Sequence, residues 1–134
     1  MQENRSIPQC TVIPEIAYPD INAGIDWLCD AFGFSLRLRI ADHRAQLNVG
    51  DGAVVLTHMD ASVADLAHSV LVRVANVDRH HEHAKRCGAQ ILRPPADHPY
   101  GERQYTAVDP IGRRWTFSQT IADVAPEDWG GTSA

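Results

Sequence analysis

The sequence predicts an α+β fold in which one β-α-β-β-β unit is used twice. Three observations predict it. Residues 100–117 read as loop, strand, tight turn, strand, with β-branched and aromatic residues in 104–108 and turn chemistry in Asp109-Pro110-Ile111-Gly112. A weaker echo runs through residues 45–57, where Gly50-Asp51-Gly52 joins two alternating stretches. Each hairpin follows a helical pattern closed by a glycine, and the separations Gly33 to Gly88 and Gly52 to Gly112 are similar.

Taken in order, residues 1–8 form a loose lead-in. Residues 10–17 are a strand candidate, and Pro14 inside it assigns that strand to an edge or a bulge. Asp20 or Asn22 caps a helix whose apolar stripe is Ile21, Ile25, Leu28, Cys29 and Phe32, widened by Trp27 and ended by Gly33. Residues 34–40 alternate Leu36, Leu38 and Ile40 against Arg37 and Arg39, a half-buried strand. Residues 45–49 and 53–57 complete the first module, about 9–58.

Residues 59–67 connect to a second module, about 68–119. It opens with a strand over 69–74, and Asp78 starts a helix with His81, Ala84 and Cys87 on its apolar side, closing at Gly88. A short strand, 90–92, is halted by Pro94-Pro95 before the closing hairpin. The arm, 120–134, carries Trp129, which either docks on the domain or a second subunit or stays free. One domain of two modules accounts for all 134 residues.

Composition narrows the function classes. Hydrophobic content of 44% and charged content of 22% are those of a soluble globular chain. Apolar runs stay short of the roughly 18 residues that span a bilayer, so no membrane partner is expected. Met1 to Ser6 lacks the apolar centre of a secretory signal, which makes the cytoplasm the expected location. The net charge of −5 argues against nucleic acid. Cys10, Cys29 and Cys87 form no CxxC and read as reduced thiols, the last two as small apolar helix residues.

The chain resembles the vicinal-oxygen-chelate superfamily of glyoxalases, extradiol dioxygenases and bleomycin-resistance proteins. The residues that carry the resemblance are the helix segment from Asp26 to Phe34, the Gly50-Asp-Gly hairpin, and the strand before Asp78. To these are added the Gly88-Ala89 stop and Asp109-Pro110-Ile-Gly112 before Trp115. The resemblance implies two βαβββ modules forming a cup-shaped mixed sheet that holds a ligand, and in many members a homodimer. It also implies, for metal-dependent members, a divalent ion held by His, Gln or Glu on four strands. Counting from the landmarks puts those positions at Ile13, Leu56, Ser69 and Thr116, none a good ligand, so neither a metal nor another cofactor is expected. A displaced site would draw on Glu15, His58 and His68.

Period-two parity then assigns faces, with Arg114, Thr116 and Ser118 toward the cup and Trp115 and Phe117 under the helices. The same parity points Ser69, Leu71 and Arg73 inward, with Val54, Leu56 and His58, and sets Glu15 beside Ile13. The candidate ligand-binding residues are Glu15, His58, Arg73 and Arg114 as polar handles over an apolar floor, with Tyr100, Glu102 and Arg103 in a lid-like lead into the closing hairpin. Two alternatives stand beside this: Arg73 and Glu15 pair with one another or with solvent at the cup's rim, and Arg103 is held by a carboxylate. His80, His81 and His83 read as a solvated helix surface. No residue stands out as catalytic, and the spacing contains no phosphate loop or nucleophile elbow. The leading expectation is a metal-independent binding protein that sequesters a drug or metabolite. A lyase or isomerase acting on a small carbonyl compound is the alternative. Net acidity suits a cationic ligand, and inward arginines suit an anionic one.

Overall fold

The structure, a computed structural model, describes residues 2, 4–59 and 69–133. The expected connector therefore lies almost wholly outside the described residues, as does His68. Each of two compact units, divided between Val63 and Ala64, carries one helix and one four-stranded mixed sheet.

In the first unit, β1 (Glu15–Tyr18) leads into α1 (Ile21–Phe32), followed by β2 (Ser35–Ile40), β3 (Arg44–Val49) and β4 (Gly52–His58). The sheet order is β1-β4-β3-β2, with β1 parallel to β4 and the rest antiparallel. β1 is shorter than expected: Pro14 lacks an N–H and stays outside, although its carbonyl accepts from Val55 N at 2.9 Å. α1 follows its caps closely. The Asp20 side chain accepts from Ala23 N at 3.0 Å, and Gly33 ends the helix at φ 79°. Ile21, Ile25, Leu28, Ala31 and Phe32 bury one face of it against the sheet.

The register reveals which sheet face meets α1. A Cβ on Gly24 would lie 3.0 Å from the Tyr18 ring and 3.5 Å from the Leu56 side chain, so both point at the helix. Tyr18 pairs with His58 and Ile16 with Leu56, so His58 and Val54 share that face. Glu15 pairs with Val55, on the opposite face. This corrects the inward assignment of Val54, Leu56 and His58 and the shared face of Glu15 and His58, and it divides the displaced metal set between two faces. The counting was one residue out of phase, which exchanges every side chain between faces.

β2 departs from simple alternation too. A bulge between Leu36 and Leu38 resets its phase, so Leu36 pairs with Leu47 on the α1 face while Leu38 pairs with Gln46 on the other. Leu36 and Ile40 are exposed rather than half-buried, as suits an edge strand.

The second unit repeats the order: β5 (Ser69–Arg73), α2 (Val77–Arg86), β6 (Gln90–His98), β7 (Glu102–Val108) and β8 (Arg114–Thr120). Its sheet runs β5-β8-β7-β6, with β5 parallel to β8. β6 continues through Pro94 and Pro95, where a stop was expected. It is an edge strand with register shifts between Ile91 and Ala96, so the missing N–H groups interrupt no central ladder. Here the parity holds: Trp115 and Phe117 are fully buried with Tyr105 and Val77.

α2 starts one residue before Asp78, capped by Asn76. His80 is not a solvated surface residue. Its ring lies 4.1 Å from Phe117, and its Nδ1 is 2.5 Å from the Tyr105 hydroxyl. Burial pushes the Tyr105 phenol pKa well up. Cys87, expected inside, is exposed. Cys29 is half-buried, and desolvation, helped by Asp30 and Asp26, raises its thiol pKa, which keeps it in the unreactive form.

Candidate binding site on the second module

The second sheet has one face under α2 and one without a helix. β7 and β8 pair Gln104 with Ser118 and Glu102 with Thr120, and β5 and β8 pair Arg73 with Ser118 and Leu71 with Thr116. All of these side chains stand on the helix-free face. At one end of it lies a pocket of about 410 Å³ lined by Leu71, Arg73, Tyr100, Glu102, Gln104 and Ser118. Leu71 is 63% exposed there, unusual for a leucine inside a strand.

The polar residues form one directed chain. Tyr100 Oη donates to Gln104 Oε1 at 3.1 Å, and Gln104 Nε2 donates to Ser118 Oγ at 3.0 Å. Ser118 Oγ donates to Glu102 Oε1 at 2.7 Å. Glu102 therefore receives the whole relay, and its carboxyl is held below the usual range, first by Ser118, then by Thr120, with Arg73 adding charge. A depressed carboxyl stabilises the fold above its unfolded-state pKa, and that stabilisation is lost as pH falls through the lowered folded value. Glu102→Gln is thus expected to cost stability at pH 7 and progressively less in acid. Urea denaturation of both proteins between pH 7 and 3 checks this, and a pH-independent difference would refute it.

Aromatic contacts hold the pocket's rim. His98 stacks on Tyr100 at 5.1 Å and 10°, and Trp129 approaches Tyr100 at 5.1 Å from the short 3-10 helix Pro126–Trp129. The arm's tryptophan thus docks on its own module. Between Tyr100 and Glu102, Gly101 adopts φ 83°, and its carbonyl accepts from Ile121 N and Ala122 N.

Of the seven candidate residues, this site brings together Arg73, Tyr100 and Glu102. Arg103, one residue from Glu102, points to the α2 face and is held by Asp78 and Asp97, as the carboxylate alternative has it. Arg114 shares the helix-free face but sits away from the pocket, between Ser69 and Val108 in register; its buried Nε has no hydrogen-bond partner among the described residues. Glu15 is paired with Arg44 in the first module, and His58 lies on the α1 face there. Gln104, Leu71 and Ser118 were not among the seven candidates, although parity had set Leu71 and Ser118 on this face. Parity alone could have found Gln104, two residues from Glu102 on the same strand.

The sequence profile of the glyoxalase/bleomycin resistance protein/dioxygenase superfamily matches residues 6–117. The chain belongs to this superfamily. TioX from Micromonospora sp. ML1 is 34% identical, over 81% of this chain and 97% of its own, with a TM-score of 0.70. A family enzyme from Burkholderia phytofirmans PsJN is 18% identical, over 81% and 97% of the two chains, with a TM-score of 0.71. The bleomycin-binding protein from Streptomyces verticillus, solved with copper(II)-bleomycin, is 20% identical, over 83% and 96%, with a TM-score of 0.66. No curated protein sequence matches the chain.

The glyoxalase-type scaffold raises the question of a divalent ion. The helix-free faces of β1 and β4 offer Glu15, Val55 and Thr57, and Glu15 is engaged by Arg44. Those of β5 and β8 offer Ser69, Leu71, Arg73, Arg114, Thr116 and Ser118. Hydroxyls, alkyl groups and guanidinium ions are a poor donor set for a divalent cation, and two of these side chains repel one. Among the described residues, no three His, Cys, Asp or Glu side chains come together.

Proposed function

We propose that this superfamily member binds and sequesters a small organic molecule, without a resident metal, in the pocket on its second module. The observation that carries this reading is the Glu102 relay. A general base works best with a pKa near the working pH, and Glu102 is pushed the other way, away from proton abstraction and toward fixed, charged recognition. Arg73 supplies a donor beside the Glu102 acceptor, with Leu71 and the Tyr100 ring as apolar walls. Such a site suits a ligand with a hydrogen-bond donor and acceptor side by side on an apolar or aromatic body. This reconciles net acidity with inward arginine, since both charges meet the ligand. The bleomycin-binding relative supports binding as the functional class. The dimers formed by many members of the family support a homodimer, and we place the protein in the cytoplasm as the sequence leads us to expect.

The test is a thermal-shift panel on untagged protein with bleomycin, fosfomycin, glutathione–dicarbonyl adducts and catechols, each with and without Mn, Ni, Zn and Fe(II). A ligand at about 100 times its Kd adds about 2.7 kcal/mol, a shift of several degrees. The expected result is stabilisation by an organic ligand alone, removed by Glu102→Gln or Leu71→Asp and kept by Arg103→Ala. Stabilisation that needs a metal, or consumption of the ligand, would replace this reading with the lyase or isomerase one.

A further inference from the structure

The superfamily match ends at residue 117, and the chain after β8 forms an arm that returns to the second-module pocket. The arm reaches three successive residues at the pocket's entry. The Thr120 side chain hydrogen-bonds to the Glu102 carboxylate. Ile121 N at 2.9 Å and Ala122 N at 3.3 Å donate to the Gly101 carbonyl, and the Trp129 ring lies 5.1 Å from the Tyr100 ring. A Cβ on Gly101 would also meet the Val124 side chain at 3.1 Å, so the arm runs close along this loop. Tyr100 and Glu102 line the pocket, whereas Trp129 is one contact removed from it. Its influence on the pocket passes through Tyr100.

Root and tip of the arm are held by different means. The root continues β8 and is fixed by the backbone bonds to Gly101. The tip is a knot satisfied within itself. Asp128 N donates to Ala125 O at 3.0 Å, Gly131 N to Pro126 O at 2.8 Å, and the Ser133 hydroxyl to Glu127 Oε2 at 2.9 Å. Its 3-10 helix buries no residue, and Trp129 itself is 45% exposed. Such a tip can leave the module without losing its own bonds, and the Tyr100–Trp129 ring pair is the contact that opposes this. Tyr100 in turn starts the hydrogen-bond relay through Gln104 and Ser118 to Glu102. Without Trp129, one side of the Tyr100 ring meets water, and other rotamers compete with the one that reaches Gln104.

We infer that the C-terminal arm is a clasp on the pocket's entry, in which Trp129 is a positioning residue for Tyr100 and, through Tyr100, for Gln104, Ser118 and Glu102. The tip has a docked and a released arrangement, and the docked one presents the Tyr100 hydroxyl to Gln104. A small molecule seated against Tyr100 meets an ordered wall only when the tip is docked. Binding and docking therefore favour one another reciprocally. This last step rests on the binding role proposed above; the positioning of Tyr100 is a property of the unliganded chain.

The test uses the full chain, with ¹⁵N-labelled glutamine and ¹³C-labelled glutamate, as wild type, Trp129→Ala and Trp129→Phe. The first readout needs no ligand. In Trp129→Ala the Gln104 side-chain amide signals are expected to move toward those of an exposed glutamine. The Glu102 carboxyl, with Arg73 still beside it, should titrate closer to the usual glutamate range. Trp129→Phe should restore most of both effects, and the urea midpoint should stay near wild type throughout, because the tip buries no residue. Unchanged Gln104 and Glu102 signals in Trp129→Ala would overturn the inference, whatever the ligand panel shows. The second readout is titration with metal-free bleomycin and with catechol. A compound that binds wild type should bind Trp129→Ala about fivefold more weakly, the size of one aromatic pair. Equal affinity would overturn the coupling of docking to binding. Moved relay signals with no binder would uphold the positioning and remove the binding role instead.

Discussion

Gly101→Ala is expected to lower stability by about 3 kcal/mol and to abolish ligand-induced stabilisation of the second module. Gly101 sits at φ 83°, where an L side chain is strained, and a Cβ there would lie 2.3 Å from the Ala122 carbonyl oxygen. That oxygen is backbone, so relief requires the chain after β8 to move. Moving it breaks the bonds from Ile121 N and Ala122 N to the Gly101 carbonyl and displaces Tyr100 and Glu102 on either side. Gly33→Ala is the matched control. It has a similar φ of 79° but nothing within 4 Å of the added Cβ, so only the backbone term remains, about 1 kcal/mol. Urea midpoints at constant m-value separate the two. Equal costs would show that the close approach to Ala122 carries no energy.

Asp109→Ala is expected to cost about 3 kcal/mol, because one small carboxylate satisfies three donors. Its Oδ1 accepts from Ile111 N at 3.1 Å and Arg113 N at 3.0 Å, and its Oδ2 accepts from the fully buried Trp115 indole at 3.1 Å. The turn and the core tryptophan are thus fastened by the same side chain. Asp109→Asn keeps one oxygen and turns an NH₂ group toward either the indole or the two turn amides. It should therefore recover part of the loss, landing near 1–2 kcal/mol of cost, roughly. Chemical denaturation of both variants, with near-UV circular dichroism to follow Trp115, provides the check. An alanine variant as stable as wild type would mean that water satisfies the indole.

Much of this architecture is legible in the sequence because its signals are local. Asp20 and Gly33 bound α1 as their chemistry predicts, the Gly50-Asp51 and Asp109–Gly112 turns fall where glycine and aspartate permit them, and β8 keeps its alternation. Those signals determine the element order, the repeated module and half of the second-module pocket: Arg73 follows from parity, and Tyr100 and Glu102 from their place at the entry to the closing hairpin. The superfamily follows from the same stretches.

Only tertiary structure decided the rest. Periodicity states which residues share a face, not which face meets the helix. The answer for β4 depended on Gly24 admitting Tyr18 and Leu56 beneath α1, which sent His58 away from Glu15. The bulge at Arg37 resets the phase of β2 through a register shift that no local residue announces, and it creates the face that grips residues 4–8. Pro94 and Pro95 look like strand breakers until β6 is seen to be an edge, and His80 looks solvated until Tyr105 and Phe117 arrive from distant strands. Local chemistry sets caps, turns and alternation; the partner each face finds is set by residues far away in the chain.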